Sequence, residues 1–437
     1  MVENCEYCME DLVLTRDFSF ISPHTLASQA VLQSANFEAD PLPKIEEWFE
    51  KDNKLFPCAF DFIEHTSANC TGAPHVGNFV NSIIGDLYQR NYRSTSKKPV
   101  FYVNDNSANF KKFLVAAQRH PQILLEQVYA KKGKEMDTEA LKMQEIYEGI
   151  PESTRKTHRD QMLKLIGRAL SQLNVMYSTS FQYIYESDYN GTVSAKYLKD
   201  KGFDASLIED SEGLHYNNLR LTSSRVKNGQ FIPTYAYADL LYRNQMLTSY
   251  TRLLFIMGKD HEKHEKYFHT AFKDYTKKVV TVLYPIVTIG GLKASKRNNT
   301  MLNIKDLLGK LEFISPFEPF YFKVLILKYY GADTFEVNYF LDHSNIKQFK
   351  KICSSIDMGT GKDLRKLYYE IPLEKRKELS FWVNIPRIIH RIFQRGDLNK
   401  LYSFLKHIER TIKQSDPSLA KVNKLLFRAF LELTGLL

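Results

Sequence analysis

The stretch from Glu64 to Asp86 constrains the fold of this chain more than any other segment. It reads EHTSANCTGAPHVGNFVNSIIGD and connects the apolar run from Phe56 to Ile63 with an apolar-periodic segment, through a tight His-Val-Gly-Asn turn. A strand that leads through a glycine turn into a helix presents backbone N–H groups and the positive end of the helix dipole to an anion. The stretch therefore predicts an anion-binding strand–turn–helix unit with an imidazole, His75, on its turn.

The composition of the chain sets only wide limits on its size class, its protein class and its partners. A length of 437 residues is typical of about three domains, and 43% hydrophobic with 25% charged residues is typical of a soluble protein. No apolar run approaches the roughly 20 residues of a membrane span. Sixty Lys and Arg against 50 Asp and Glu give a net charge of +10, which weakly favours a polyanionic partner.

The cysteines indicate the compartment. Their number is odd, five, and the acidic start MVENCEYCMEDL has no charged-then-apolar leader, so we expect reduced thiols and a cytoplasmic protein. Cys5, Cys8, Cys58 and Cys70 could together hold zinc, but the second pair is spaced too widely for a usual zinc site. Structural or incidental cysteines are the favoured interpretation, and no metal site is expected.

The order of patterns along the chain predicts an α/β architecture. Strand, turn and helix lead into a second strand at Lys98 to Asp105, which makes a βαβ unit and the start of a parallel sheet. Residues of about 107–175 are charged with helical spacing, and strand-like segments follow, among them VMYSTSFQYIYES, GQFIPTYAYADLL, RLLFIMGKDH and KVVTVLYPIVTI. After about residue 305 the chain is helical and rich in Lys and Arg.

Three further segments carry candidate chemistry. Tyr235 and Asp239 are four residues apart, and so share a helix face if a helix starts there. Gly258 to His261 follows an apolar strand, where glycine allows a ligand to approach closely. Lys293 to Arg297 reads Lys-Ala-Ser-Lys-Arg, and lysines on such a loop can follow phosphate charge. Each segment also has an ordinary structural interpretation: a helix-end Asp, a surface His at 261 or 264, and a solvated basic loop.

Taken in order, these segments resemble the arginyl group of class I aminoacyl-tRNA synthetases. Glu64, Ser67 and Asn69, followed by Thr-Gly and His-Val-Gly-Asn, are similar to the first signature of that group. YAYADLLY from Tyr235 resembles its Tyr-x-x-x-Asp-Ile-x-Tyr segment, and the loop from Lys293 resembles its Lys-Met-Ser-Lys-Ser loop. The match covers about residues 60–340, with Tyr-Val-Asn-Asp at Tyr102 as a looser likeness.

The resemblance implies roles in an amino-acid pocket. Ser67 and Asn69 would bind the α-amino group and backbone of arginine. Glu64 would help to bind the guanidinium group, for which a carboxylate is the matching acceptor. Asp239 would be the main guanidinium partner, and Tyr235 would shape the slot.

The resemblance also implies a site for ATP with Mg²⁺, without a tightly bound cofactor. His75 and Asn78 would stabilise the displacement at the α-phosphate, and Lys293 and Lys296 would stabilise the leaving pyrophosphate. The implied nucleotide contacts are His75, Gly77, Asn78, Gly258, Asp260, His261, Ser295 and Lys296. The implied partners are arginine, ATP and tRNA, and we expect a monomer.

The fold predicted in this way is a Rossmann-like parallel sheet with a helical insertion, followed by an all-α helical bundle. We expect a remnant of the family's N-terminal add-on domain at 1–50, where the segment from Arg16 to Leu32 resembles its end. The catalytic domain would span 51–310, with the insertion at about 107–175. The bundle that binds the anticodon stem would span 311–437.

Departures from the pattern leave two alternatives open. Asn78 stands where the arginyl group has a second His, and Ala294 stands where the loop has Met. A catalytically weak relative that binds tRNA or a protein would tolerate both changes. The class I lysyl enzymes, whose first signature is often His-x-Gly-Asn, are the other alternative, although the segments at Tyr102 and Tyr235 fit the arginyl pattern better.

Overall fold

The structure is a computed structural model, and the described residues are 40–43, 45–46, 60–91, 99–133, 135, 140–175, 181–189, 195–200, 203, 207–210, 213–216, 219–227, 230–272, 275–294, 307, 309, 317–356, 364–383, 385–394 and 396–437. Several sequence predictions lie outside these residues. They are the segment from Arg16 to Leu32 that resembles the end of the add-on domain, the cysteines Cys5, Cys8 and Cys58, and the loop residues Ser295 and Lys296.

Internal contacts divide the chain into two compact units. The first, which we call the cavity unit, comprises Phe60–Gly85 and Ser96–Lys310. The second, which we call the helical unit, comprises Met1–Ala59, Asp86–Thr95 and Leu311–Leu437. The three-domain division drawn from the sequence remains a prediction.

The strands of the cavity unit are, in chain order, β1 (Phe62–Glu64), β2 (Val100–Val103), β3 (Gln182–Tyr185), β4 (Leu207–Asp210), β5 (Gly213–Tyr216), β6 (Leu219–Arg220), β7 (Thr222–Lys227), β8 (Gln230–Pro233), β9 (Leu253–Gly258), β10 (Val279–Tyr284), β11 (Ile286–Ile289) and β12 (Leu292–Lys293). The helices up to residue 278 are α1 (Val76–Asn91), α2 (Ala108–Arg119), α3 (Leu125–Lys132), α4 (Ala140–Gly149), α5 (Glu152–Ser171), α6 (Ala195–Asp200), α7 (Tyr235–Ser249), α8 (Glu262–Ala271) and α9 (Tyr275–Lys278).

A parallel sheet organises the cavity unit. Its five strands lie in the order β10-β9-β1-β2-β3, and every neighbouring pair is parallel. All four residues of β2 are buried, as expected for a strand covered on both faces. Helix α1 connects β1 to β2, and α2 to α5 lie between β2 and β3. The predicted α/β sheet, interrupted by helices, is confirmed.

Two strand predictions hold only in part. The segment from Gln230 is a strand as far as Pro233 and a helix from Tyr235, because Thr234 has an extended backbone and starts the helix. The segment from Val279 forms two strands that are interrupted at Pro285, whose ring removes a ladder donor. After Pro285, β11 turns back on β12 through Gly290 and Gly291, at φ of 60° and 76°. A two-residue turn of this kind requires positive φ, which glycine adopts without strain.

The helical unit contains α10 (Glu318–Tyr329), β13 (Thr334–Glu336), α11 (His343–Cys353), α12 (Leu364–Tyr369), α13 (Leu373–Arg376), α14 (Ser380–Val383), α15 (Ile385–Gln394), α16 (Leu398–Gln414) and α17 (Pro417–Leu433). Helix α10 is apolar on all sides and buried from Phe320 to Leu327. Its buried charge, Lys323, donates from Nζ to the Gly435 carbonyl at 2.5 Å, and burial lowers its pKa to about 8. Of the helices in the described part of the chain, none is both long and apolar enough to cross a membrane.

Candidate active site

The carboxyl ends of the parallel strands border a cavity of about 450 Å³ in the cavity unit. Ligands of open α/β sheets bind at this edge, because the loops after the strands diverge there. The sequence-predicted residues that line the cavity are Glu64, Ser67, Asn69, His75, Gly77, Asn78, Asp239, Gly258, Asp260, His261 and Lys293. Thus one cavity brings together most of the predicted site, although its segments are up to about 230 residues apart in sequence.

The chain bends sharply where β1 ends. Thr66 has a φ of 74°, which is rare for a β-branched residue, and its backbone N–H donates to Asn81 Oδ1 at 2.6 Å. Because of this bend, Ser67 Oγ lies 2.9 Å from Glu64 Oε1 and donates to it. Strict strand alternation would separate Glu64 from Ser67. The bend therefore brings the two side chains into one pocket.

The His-Val-Gly-Asn turn caps the start of α1. The His75 backbone N–H donates to Asn78 Oδ1 at 3.1 Å, and the Gly77 N–H donates to His75 Nδ1 at 3.1 Å. A Cβ on Gly77 would lie 3.0 Å from His75 Cε1, so glycine lets the imidazole lie against the turn. Since Nδ1 accepts a hydrogen bond, a neutral His75 carries its proton on Nε2. The turn thus combines a helix N-terminus with an imidazole donor, which is suited to an anion.

The segment after β9 adds a charged group to the same cavity. Lys293 Nζ donates to Asp260 Oδ2 at 2.6 Å, and His261 Nε2 lies 3.7 Å from the same oxygen. Burial opposes ionisation of Asp260, but the hydrogen bond from Lys293 and the charges of His261 and Lys293 outweigh it and lower its pKa. A Cβ on Gly258 would collide with the Asp260 carboxylate, so glycine makes room for this carboxylate.

Glu64 is held by two hydroxyl groups. Besides the bond from Ser67, Tyr242 donates from its OH to Glu64 Oε2 at 2.7 Å. The Tyr242 ring stacks on that of Tyr102, with centroids 4.3 Å apart. Burial raises the pKa of Glu64, and the positive charge of Arg243 and the two hydrogen bonds only partly offset this effect. The carboxylate is therefore fixed in orientation and costly to ionise until a further cation approaches.

Asp239 and Tyr235 have different surroundings. Asp239 lines the cavity, and its Oδ2 lies 3.3 Å from His264 Nε2. Tyr235 is 58% exposed, and its ring packs against the imidazole of His264 at 5.2 Å. Tyr235 is not among the cavity-lining residues of the described chain, so it contacts the site through His264.

The sequence reasoning did not single out Glu186, which interacts with the charge of Asp239, or the hydroxyl group of Tyr102, which lines the cavity. Burial and the negative charges of Asp239 and Asp105 raise the pKa of Glu186, which follows β3, to about 7. The buried Tyr102 hydroxyl has no hydrogen-bond partner among the described residues, and its pKa is raised by burial and by the charges of Asp239, Glu186 and Glu64. The available signal for Glu186 was an acidic residue at the end of the strand-like segment VMYSTSFQYIYES.

Arg243 lies beside these acids but is itself paired. Its guanidinium donates to the Tyr275 hydroxyl at 2.7 Å, lies 3.5 Å from Glu265 Oε2 and stacks on the Phe255 ring at 3.4 Å. Glu265 in turn accepts hydrogen bonds from Tyr275 and Thr281. Because Arg243 is also paired with Glu265, it only partly compensates Glu64 and Asp239, the two carboxylates that line this end of the cavity. Such a pocket is suited to a ligand cation.

The described part of the predicted loop is short. Lys293 pairs with Thr288 in the β11–β12 hairpin and is exposed, whereas Ala294 is buried and donates its N–H to the Val287 carbonyl at 2.8 Å. Packing of position 294 into the cavity unit accounts for a small side chain there. Ser295 and Lys296 lie beyond the described residues.

Known proteins similar to this chain are arginine–tRNA ligases. The ligase of Methanococcus aeolicus is 25% identical over 340 residues, which cover 70% of this chain and 56% of that ligase. The ligase of Campylobacter lari is 24% identical over 425 residues, which cover 88% of this chain and 75% of that ligase. The chain spans about half the length of the first curated relatives that it matches. No family model matches it.

Solved structures agree on the fold. A putative arginyl-tRNA synthetase from Campylobacter jejuni superposes with a TM-score of 0.61 at 15% identity, covering 95% of this chain and 98% of that one. The arginyl-tRNA synthetase of Thermus thermophilus gives a TM-score of 0.61 at 12% identity, covering 94% and 85%. At such identities the superposition shows a shared fold. The sequence relatives and the solved structures that this chain resembles are thus arginyl-tRNA synthetases in both comparisons.

Proposed function

We propose that this protein is an arginine–tRNA ligase. In the first step the arginine carboxylate attacks the α-phosphorus of ATP, so that arginyl-adenylate forms and pyrophosphate leaves. In the second step a hydroxyl of the terminal ribose of tRNA attacks the arginyl carbonyl, and AMP leaves. The observation that carries the proposal is one cavity with an acidic end, suited to a guanidinium, and a helix N-terminal end, suited to a phosphate.

The acidic end would select the amino acid by charge. A guanidinium has five donors in a fixed fork, and the carboxylates of Glu64 and Asp239 are the matching acceptors. The buried Tyr102 hydroxyl supplies a further polar group without a partner among the described residues. Ser67 and Asn69, which line the same cavity, would bind the α-amino group and backbone.

The helix end would bind the nucleotide. The N–H groups at the start of α1 and His75 Nε2–H would stabilise charge that builds on the α-phosphate in the displacement. The Lys293 ammonium, together with Lys296, would interact with the leaving pyrophosphate. Mg²⁺ would enter with ATP as part of the substrate, since magnesium is commonly held by substrate phosphates and one or two carboxylates.

A basic cluster in the helical unit supports the tRNA part of the proposal. Burial and the positive charges of Arg410, Lys328 and Lys351 lower the pKa of Lys406. Lys328 donates to amide oxygens of Asn345 and Gln348 rather than to a carboxylate. Lys328 and Lys406 lie 5.9 Å and 6.0 Å from the ring of Tyr402. Cations that repel one another beside an aromatic ring are suited to a phosphate-rich partner with bases.

We further propose that the protein acts in the cytoplasm as a monomer. The buried Cys70 and the partly buried Cys353 are free thiols, which agrees with a reducing compartment. Sedimentation across a range of protein concentrations would measure the oligomeric state directly.

ATP–pyrophosphate exchange with each of the twenty amino acids, with and without total tRNA, tests the proposed reaction. We expect exchange with arginine above all others, followed by arginine transfer to tRNA. Exchange that depends on another amino acid, or no exchange under any condition, would contradict the proposal. Lysine-dependent exchange would instead favour the class I lysyl alternative.

A further inference from the structure

The side chain of Asn81, on the second turn of α1, joins three elements that border the cavity. Its Oδ1 accepts a hydrogen bond from the Thr66 N–H at 2.6 Å, and its Nδ2 donates to the Ile256 carbonyl at 2.7 Å. Thr66 lies in the bend after β1, and Ile256 lies near the end of β9. Asn81 is 6% exposed and lines the cavity. Because a main-chain donor and a main-chain acceptor bind its two polar atoms, the orientation of the amide is fixed.

The bend at Thr66 depends on hydrogen bonds to α1. Its φ of 74° lies in the left-handed region, which β-branched residues rarely adopt. Besides the bond to Asn81, Thr66 Oγ1 donates to Ser82 Oγ at 2.9 Å. With an extended backbone at Thr66, strand alternation would turn Ser67 away from Glu64. The bonds to α1 therefore hold a bend that the backbone of a threonine does not favour by itself.

The same helix carries the turn at the other end of the cavity. Asn78 lies less than one helical turn before Asn81, and its carbonyl accepts a hydrogen bond from Ser82 Oγ at 2.9 Å. The backbone N–H of His75 donates to Asn78 Oδ1. A continuous set of hydrogen bonds thus connects the bend after β1 with the His-Val-Gly-Asn turn.

We infer that Asn81 is a positioning residue for adenylate formation. It fixes the bend that carries Ser67 relative to the turn that carries His75, and it fixes both relative to the end of β9. The inference rests on the proposed function, in which Ser67 binds the amino-acid backbone and the turn binds the α-phosphate. Asn81 acts through these groups, because it aligns the attacking carboxylate with the phosphorus and takes no part in the bonds that form or break.

Alignment affects the rate of the chemical step more than it affects binding. The carboxylates of Glu64 and Asp239 would hold the arginine side chain, and the start of α1 would hold the phosphates, whether or not the reacting atoms lie in line. A misplacement of about 1 Å can slow a reaction about a hundredfold. Loss of Asn81 should therefore lower the rate at saturating substrate much more than it weakens binding, which separates positioning from binding.

Single-turnover formation of arginyl-adenylate at saturating arginine and ATP, with and without total tRNA, measures the chemical step. We expect Asn81→Ala to lower this rate by about tenfold to a hundredfold. The dissociation constants of arginine and ATP, measured separately, should each change by less than about threefold. Asn91→Ala is the matched control, because Asn91 is fully buried on the same helix and donates to the Leu87 carbonyl at 2.7 Å. It should lower the melting temperature but leave the rate unchanged.

Hydrogen exchange supplies a readout that does not depend on the reaction. In Asn81→Ala the Thr66 amide loses its acceptor, so we expect the peptide that spans residues 64–71 to exchange at least about tenfold faster. The same peptide in Asn91→Ala should exchange as in the wild type, because Asn91 is at the other end of α1.

The outcomes distinguish this inference from the proposed function. A wild-type rate in Asn81→Ala, or weaker arginine binding with an unchanged rate at saturation, would overturn the role of Asn81 alone. If the wild type forms no arginyl-adenylate, the proposed function fails, and unchanged exchange of residues 64–71 in Asn81→Ala would overturn the positioning role as well. If Asn81→Ala does not fold, Asn81→Ser, whose side chain is too short to reach both partners, should show the same loss of rate. A wild-type rate in Asn81→Ser would then overturn the inference.

Discussion

The two units concentrate charge of opposite sign in different physical settings. In the cavity unit, Glu64 and Asp239 line a cavity, Glu186 lies close enough to Asp239 to interact with its charge, and burial raises the pKa of the two glutamates. In the helical unit, Lys328 and Lys406 lie partly exposed among further cations. Buried charge is weakly screened by salt and exposed charge is strongly screened. The contrast therefore predicts a tightly held small cation in one unit and a salt-sensitive polyanion on the other.

The helical unit also shows how a buried charge behaves when its role is structural. Lys323 is fully buried, but its ammonium donates to the Gly435 carbonyl and is stabilised by the charge of Asp86. By contrast, the Tyr102 hydroxyl in the cavity is buried and has no hydrogen-bond partner among the described residues. Unsatisfied polar groups are costly in a folded protein, so their presence beside a cavity indicates that a ligand supplies the missing partner.

The largest expected effect is that of Asp239→Asn on arginine-dependent turnover. Removing one partner of a buried ion pair costs about 3–5 kcal/mol, which is at least a hundredfold loss. We expect the melting temperature to change little, because Asn keeps the size and an acceptor for His264. Asp200→Asn, at an exposed aspartate on α6, is the matched control. Near-wild-type arginine affinity in Asp239→Asn would show that the Asp239 carboxylate does not recognise the guanidinium by its charge.

His75→Ala tests the other end of the cavity. Removal of one donor to a developing charge lowers the rate by about tenfold to a thousandfold, and we expect ATP affinity to change little. Pre-steady-state adenylate formation separates the two quantities. If rate and affinity are both unchanged, the turn of His75 and Gly77 only caps α1.

Glu186→Gln should stabilise the protein at pH 8. The folded-state pKa of about 7 lies above the ordinary value of 4.5, so stability is highest below about pH 4.5 and is lost as the pH rises through 7. A neutral Gln at this 3% exposed site removes that loss, worth at most about 3 kcal/mol. Urea unfolding from pH 5 to 8 measures it, with exposed Glu209→Gln as control. A wild-type slope that persists in Glu186→Gln would contradict the assignment.

A smaller, salt-dependent effect is expected in the helical unit. Lys328→Gln with Lys406→Gln should weaken tRNA binding about tenfold at low salt and reduce the log–log salt slope by about 0.7–0.9 for each phosphate that is no longer neutralised. Filter binding at several salt concentrations checks both values, with Lys164→Gln on α5 as the control. An unchanged slope would mean that Lys328 and Lys406 do not neutralise tRNA phosphates.

Much of the fold followed from the sequence because its signals are local. The apolar runs around the glycine turn predict β1, α1 and β2, and the turn residues themselves predict the helix start. The pairing of Glu64 with Tyr242 and of Asp239 with His264 could not be derived from local patterns. These contacts depend on the order of strands in the sheet and on the bend at Thr66.

The surroundings of Arg243 also could not be predicted from local sequence patterns. In the sequence, Arg243 is a basic residue that directly follows Tyr242, the last residue of the segment YAYADLLY. In the fold it is buried between Phe255 and Phe268 and compensated by Glu265. Its partners come from β9, α8 and α9, and helical periodicity carries no information about them.

The central claim is that the acidic end of the cavity recognises a guanidinium by its charge. Equilibrium binding of arginine and of citrulline, which has nearly the same shape but a neutral side chain, tests it most directly. We predict that arginine binds and that citrulline binds at least about a hundredfold more weakly, since it leaves the buried carboxylates without a counter-charge. Equal binding of the two amino acids, or stronger binding of citrulline, would contradict the claim.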